Sequence, residues 1–162
     1  MSDDDKLTWT VRKSKGVTFV VFKGTLDESA DFSALATLAG EVTFDLAGVS
    51  RINSEGIRRW IVFMQGVEGI ERLKLVRCSV AVVEQLNMIR GVEGSAEVVS
   101  FYAPYINTEN GDEELKLLHI SQVPDPLKPP VFPCPTGGDL VLDDIPERYL
   151  HFLTHVSDGE PQ

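Results

Sequence analysis

A chain of 162 residues has the length of one main domain with room for an appendage, and too little chain for two full domains. Its composition, 43% hydrophobic and 25% charged, is that of a globular protein, and no window approaches the roughly 18 to 20 consecutive apolar residues of a membrane span. Asp and Glu number 25 against 15 Lys and Arg, a formal charge of −10 that repels nucleic acid and anionic lipid and favours a neutral or basic protein partner.

The opening Met1-Ser2-Asp3-Asp4-Asp5 is acidic where a secretory signal would carry positive charge followed by an apolar run, so a soluble, cytoplasmic protein is expected. After it, residues 8–12 and 17–22 are two runs rich in β-branched and aromatic residues, separated by Ser14-Lys15-Gly16, which predicts a β-hairpin with a central second strand. Phe32, Leu35, Ala36 and Ala39 recur at helical spacing, which predicts a first helix over residues 29–39, stopped by Gly40 and covering one face of the sheet. Val42, Phe44 and Leu46 alternate with polar neighbours and give a third strand. Ile57, Trp60, Ile61 and Met64 then form the stripe of an amphipathic second helix.

Leu73, Leu75 and Val76 mark a fourth strand, Ser79 an N-cap, and Val82, Val83, Leu86 and Ile89 a third helix; residues 97–102 read as a fifth strand. The order ββαβαβαβ describes an α/β fold, a mixed sheet of four to five strands with interleaved helices on right-handed crossovers. From Asn107 onward Pro and Gly become frequent, which divides the chain into a main domain over residues 8–106 and an appendage over residues 107–156. In the appendage, residues 115–120 and 140–142 are expected to pair as short strands around a Pro-rich loop. A terminal helix starts at Asp144-Ile145-Pro146, with Tyr149, Phe152 and Leu153 on its apolar side and His151 and His155 one turn apart. Residues 157–162 should fray.

Enzyme chemistry finds no motif. All three histidines, His119, His151 and His155, lie in the appendage without a nucleophile motif beside them, and neither a P-loop nor a Gly-x-Gly-x-x-Gly after a strand is present. Cys78 and Cys134 lack the density of a disulfide scaffold and are expected to be reduced. No cofactor is implied, and the chain reads as non-enzymatic.

The run Phe44-Asp45-Leu46-Ala47-Gly48-Val49-Ser50-Arg51-Ile52-Asn53-Ser54-Glu55-Gly56-Ile57 resembles the central motif of STAS domains, the family of bacterial anti-sigma-factor antagonists. Gly24-Thr25-Leu26-Asp27 is similar to the family's Gly-x-Leu-Asp, and the run from Cys78 to Leu86 to its following strand-to-helix element; the likeness spans residues 9–105. The resemblance implies a regulatory protein-binding module whose serine at position 54 is phosphorylated by a serine kinase partner of the anti-sigma-factor kind, which then lets go. Asp27, Asn53, Ser54, Glu55 and Arg58 are the partner-binding candidates. A phosphate of roughly two charges at a helix start would meet free N–H groups, with Arg51, Arg58 and Arg59 near in sequence. The chain departs from the pattern at Asn53, where Asp is frequent, and at Glu55, where Ser or Thr is. Two alternatives stand open: Ser54 serves only as a helix N-cap, and the module is a constitutive structural subunit of a larger assembly.

In the appendage, Asn107-x-x-Asn110-Gly111 and Cys134-Pro135-Thr136-Gly137-Gly138 have the frame of two Cys-x2-Cys-Gly knuckles. Zinc needs four soft or borderline ligands and only Cys134 remains, so no metal is expected; the segment resembles a zinc ribbon that kept its shape without its ion. It should form a compact hairpin element held by Phe132, Tyr149, Phe152 and Leu153.

Overall fold

A computed structural model describes residues 5–156, so the fraying expected of residues 157–162 lies outside the described residues. Strand β1 (Thr8–Ser14) turns through Lys15 and Gly16 into β2 (Val17–Leu26), antiparallel and without a slip from Thr8↔Lys23 to Ser14↔Val17. Both turn residues have positive φ, 52° and 82°, the combination a two-residue hairpin loop needs. Strand β3 (Gly40–Ile52), helix α1 (Ser54–Gln65), strand β4 (Ile70–Val76), helix α2 (Val80–Met88) and strand β5 (Glu97–Val98) follow. The sheet order is β1-β2-β3-β4-β5, with every pair after the hairpin parallel. The chain is α/β, with a mixed five-stranded sheet.

Strand alternation sends Val20, Phe22, Val42, Phe44, Leu73 and Leu75 to one face, where Ile57, Trp60 and Met64 of α1 and Val82, Val83 and Leu86 of α2 bury them. Trp60 is the hub: its ring lies edge-on to Phe22, Phe32 and Phe44 within 6 Å, and its indole N–H donates to the Val92 carbonyl at 2.9 Å. Ser79 caps α2 by accepting from Val82 N, as its position before the apolar run predicts. Met88 stands 69% exposed at the end of α2 while Ile89 packs against the core.

The molecule departs from the sequence expectations at several places. Residues 29–39 form no α-helix; only Ser33–Leu35 makes a 3-10 turn, and Gly40 opens β3 instead of stopping a helix. Asp27 and Asp31 each accept the N–H two residues on, from Ser29 (2.9 Å) and Ser33 (3.0 Å), and such local bonds compete with helix. Phe32 stacks on Trp9 and on Phe63, so ring contacts together with separate turn bonds such as Leu35 N to Phe32 O (2.9 Å) hold the segment in place of a continuous helical ladder, and Ala36 and Ala39 stay exposed.

The single strand expected over residues 97–102 is two strands in two sheets. The chain leaves the first sheet after Val98 and enters β6 (Ser100–Asn107), which pairs with β7 (Glu113–His119) and with β9 (Asp139–Leu142); β8 (Phe132–Pro133) pairs with β9. The second sheet is antiparallel in the order β7-β6-β9-β8, so β7 and β9 do not pair with each other as expected: β6 lies between them. This sheet begins before Asn107. The loop after β4 ties it down, since Cys78 N donates to Ser100 O and Tyr102 N to Cys78 O.

The terminal helix is two short ones, α3 (Pro146–Tyr149) and α4 (Leu153–Val156), with His151 in the turn between them. The break follows from Asn87 of α2, whose amide donates to Tyr149 O (2.9 Å) and accepts from Phe152 N (2.7 Å), clamping the chain at the turn. Tyr149, Leu150, Phe152 and Leu153 are buried there, and one continuous hydrophobic cluster runs through both sheets.

Candidate functional site

The C-terminal ends of β2 and β3 meet the start of α1 and form a rim. Leu26 and Ile52 pair in register, and the Leu26 carbonyl accepts from Asn53 N at 3.1 Å, which brings Asp27 beside Asn53 and Ser54. Gly56 makes the approach possible, because a Cβ there would overlap the Leu26 carbonyl. Asn53 adopts extended backbone and its side-chain oxygen accepts from Gly56 N at 2.8 Å, so Asn53 is the N-cap of α1. This overturns the reading of Ser54 as the cap. Asn wins because its carbonyl reaches the third helical N–H from one residue earlier, leaving Ser54 as the first residue of the helix proper.

Ser54 is exposed, and its hydroxyl makes no hydrogen bond within the described residues. The N–H groups of Ser54 and Glu55 are likewise left open by the helix geometry. The charged neighbours are mixed in sign. Glu28 accepts from the Asn53 amide at 3.1 Å, Arg58 pairs with Glu55 at 3.9 Å, and Arg51 is exposed at the end of β3. Arg59 turns away and donates to the Ala30 carbonyl at 3.3 Å, so of the three arginines expected near Ser54 it is the one engaged elsewhere. Hydrogen bonds from the Ser29 hydroxyl and N–H hold the Asp27 carboxyl below the usual carboxylate range. All five sequence candidates, Asp27, Asn53, Ser54, Glu55 and Arg58, thus lie on one rim. Glu28, which sequence reasoning missed, joins them; its only signal was adjacency to Asp27.

Beside the rim, α1 and residues 30–36 flank an open groove of ≈ 420 Å³ with Arg58, Arg59 and Phe63 on its walls and Val62 63% exposed. The space between the sheet and the two helices, by contrast, is an apolar gap of ≈ 20 Å³, room for about one water and for no organic ligand.

The two knuckle-like turns of the second sheet face each other. Asn107 is 4% exposed and bridges them: its amide donates to Gly137 O at 3.1 Å, while its side-chain oxygen accepts from Glu109 N at 2.8 Å and Asn110 N at 3.2 Å. Thr108 and Asp139 add a reciprocal pair of bonds between the turns. The donor set does not fit zinc. Of the four frame positions only Cys134 offers a thiolate, and among the described residues no three His, Cys, Asp or Glu side chains gather into a metal-binding group.

The two cysteines are free and differ in character. Burial pushes the Cys78 thiol up to about 12, with the Asp45 charge adding to it. Cys134 is half-buried and is held low by hydrogen bonds from the Thr136 hydroxyl and N–H and from the Asn107 side chain. An aromatic disulfide reagent near neutral pH is therefore expected to label Cys134 alone in the folded protein and both thiols after denaturation. Two thiols titrating at one rate in the native state would contradict this assignment.

No helix among the described residues is long and apolar enough to cross a membrane. Compared with known proteins, the chain matches no family model, no curated protein and no solved structure.

Proposed function

We propose that the chain is a non-enzymatic protein-binding module of the anti-sigma-factor-antagonist type, switched by phosphorylation of Ser54. The observation that carries the reading is the division of labour at the start of α1: Asn53 already caps the helix, and Ser54 stands exposed with an unbonded hydroxyl. Capping by Asn53 leaves Ser54 without a structural duty, and the open N–H groups beside it suit a phosphate. The succession β3-α1-β4-α2-β5, and the rim that gathers Asp27, Asn53, Ser54, Glu55 and Arg58, support the STAS resemblance, while the helix expected between β2 and β3 is reduced to a 3-10 turn. The partner on this reading is a cytoplasmic protein, a serine kinase of the anti-sigma-factor kind, and neither nucleic acid nor a membrane.

A phosphoryl group would add roughly two negative charges between Glu55 and Asp27 while leaving the buried face of α1 untouched, so it changes docking without changing the fold. Protein recovered from its source cells is expected to carry one phosphate on Ser54. Ser54→Ala should keep the captured partner and Ser54→Asp should lose it, with both variants within about 0.5 kcal/mol of the parent in stability because the side chain is exposed. An unmodified Ser54, together with a partner retained equally by both variants, would favour the constitutive structural subunit.

A further inference from the structure

The two sheets expose four edges, and three of them are short or carry charge of one sign only. β5 and β8 are two residues long each, and β1 carries Arg12 and Lys13, the kind of charge that blunts an edge. β7 is different. It runs seven residues against β6 without a register shift, from Ser100↔His119 to Ile106↔Glu113, and among the described residues no strand lies on its other side.

The hydrogen bonds from Asn107 N to Asp112 O (2.8 Å) and from Ile120 N to Val99 O (3.0 Å) set the phase of this ladder. Alternation in an antiparallel pair then gives the backbone groups of Glu114, Lys116 and Leu118 to β6. Those of Glu113, Leu115 and Leu117 point to the free edge. Beside these open N–H and C=O groups stand two exposed leucines, Leu115 at 57% and Leu117 at 46%. Glu114 and Lys116 pair with each other along the strand at 3.6 Å, and the ammonium also lies 4.7 Å from the centre of the Phe132 ring.

We propose that β7 is a self-association edge, through which two copies of this chain pair antiparallel and join their four-stranded sheets into one. The argument for a second copy is that the strand is complementary to itself. Outward-facing residues alternate, so only registers that set Glu113, Leu115, Leu117 and His119 against one another make hydrogen bonds. Centred on Leu115, the pairing sets Leu115 against its own copy and Glu113 against Leu117, and opposes Glu114 to the second copy's Lys116 twice by symmetry. The intrachain ion pair then becomes a square of alternating charge. Centred on Lys116 instead, it would oppose Lys116 to itself and need the His119 N–H, which already donates to Gln122 Oε1 at 2.8 Å. Centred on Glu113 or Glu114, it would oppose that glutamate to itself, and centred on Leu117 it would again need the His119 N–H. Charge therefore selects the Leu115 register, and the interface is two-fold and closed. The Ser54 rim lies on the other sheet and contributes no residue to it.

Sedimentation of the full chain from micromolar to millimolar concentration tests this. A concentration-dependent dimer is expected. Leu115→Lys should leave a monomer with an unchanged far-ultraviolet spectrum, and Glu114→Lys should weaken the dimer on the order of tenfold by facing lysines with lysine. The double variant Glu114→Lys/Lys116→Glu, which restores alternation, should recover it. A chain that stays monomeric throughout overturns the proposal, as does a dimer that Glu114→Lys leaves at parental strength. Should Leu115→Lys fail to fold, the comparison of Glu114→Lys with the double variant decides by itself.

Discussion

Asn107→Ala is expected to lower the free energy of unfolding by about 3 kcal/mol, because three part-buried hydrogen bonds of about 1 kcal/mol each vanish together. The side chain is 4% exposed, so water cannot replace it without opening the turns. Its bond to Gly137 O also spans 30 residues of sequence, joining the turn after β6 to the turn after β8, and its loss releases both. Asn110→Ala is the contrast: Asn110 is exposed and its side chain serves only Asp112 N, so the change should stay under about 1 kcal/mol. Denaturant midpoints of the two variants measure the difference. A strong chelator should leave the parent's midpoint where it is, since an amide performs the bridging that an ion performs in a metal knuckle. A chelator-induced fall, or equal midpoints for the two variants, would refute that role.

Gly56→Ala is the second large effect, also about 3 kcal/mol, and its cause is close approach in place of conformational freedom. Gly56 sits in the first turn of α1 with its α-carbon over the end of β2, where an added Cβ would overlap the carbonyl of Leu26 and crowd the N–H of Asp27. That carbonyl cannot swing aside, because it holds Asn53 N at 3.1 Å. The helix must therefore lift, and the Trp60 cluster below it loosens. At the other end of the same helix, a methyl on Gly66 would meet nothing nearer than 3.7 Å, so Gly66→Ala should change stability by less than about 1 kcal/mol. Thermal melting of both variants makes the comparison. On the proposed function, Gly56→Ala also separates Asp27 from Ser54, and partner capture should fall although neither residue is altered.

Gly56 and Asn107 have a common physical feature: each places a polar backbone group of one segment against a distant one. Neither leaves a periodic trace in the sequence. Asn107 was legible as a frame position, through its spacing to Asn110 and Gly111, and its amide bridge was not. Ser54 was legible as a residue at a helix start, yet the choice of cap between Asn53 and Ser54 turned on one residue of phase that only the φ and ψ of Asn53 decide.

What the amino-acid order determined by itself is what repeats at short range. The β1–β2 hairpin, the apolar stripes of α1 and α2, the Ser79 cap and the α/β succession follow from periods of two and 3.6 residues and from side chains that bond their own neighbours. Tertiary structure decided the remainder. The stretch from Ser29 to Ala39 has helical spacing, but Phe32 gains more by stacking between Trp9 and Phe63 than the backbone gains by coiling. The stretch from Glu97 to Asn107 is one apolar run that two different sheets divide at Val99, because Leu75 and Cys78 claim its two halves. The terminal helix breaks where Asn87 reaches across from α2. In each case a contact between residues far apart in the chain outweighs a local preference of a fraction of a kcal/mol per residue, and that contact exists only once the chain has closed on itself.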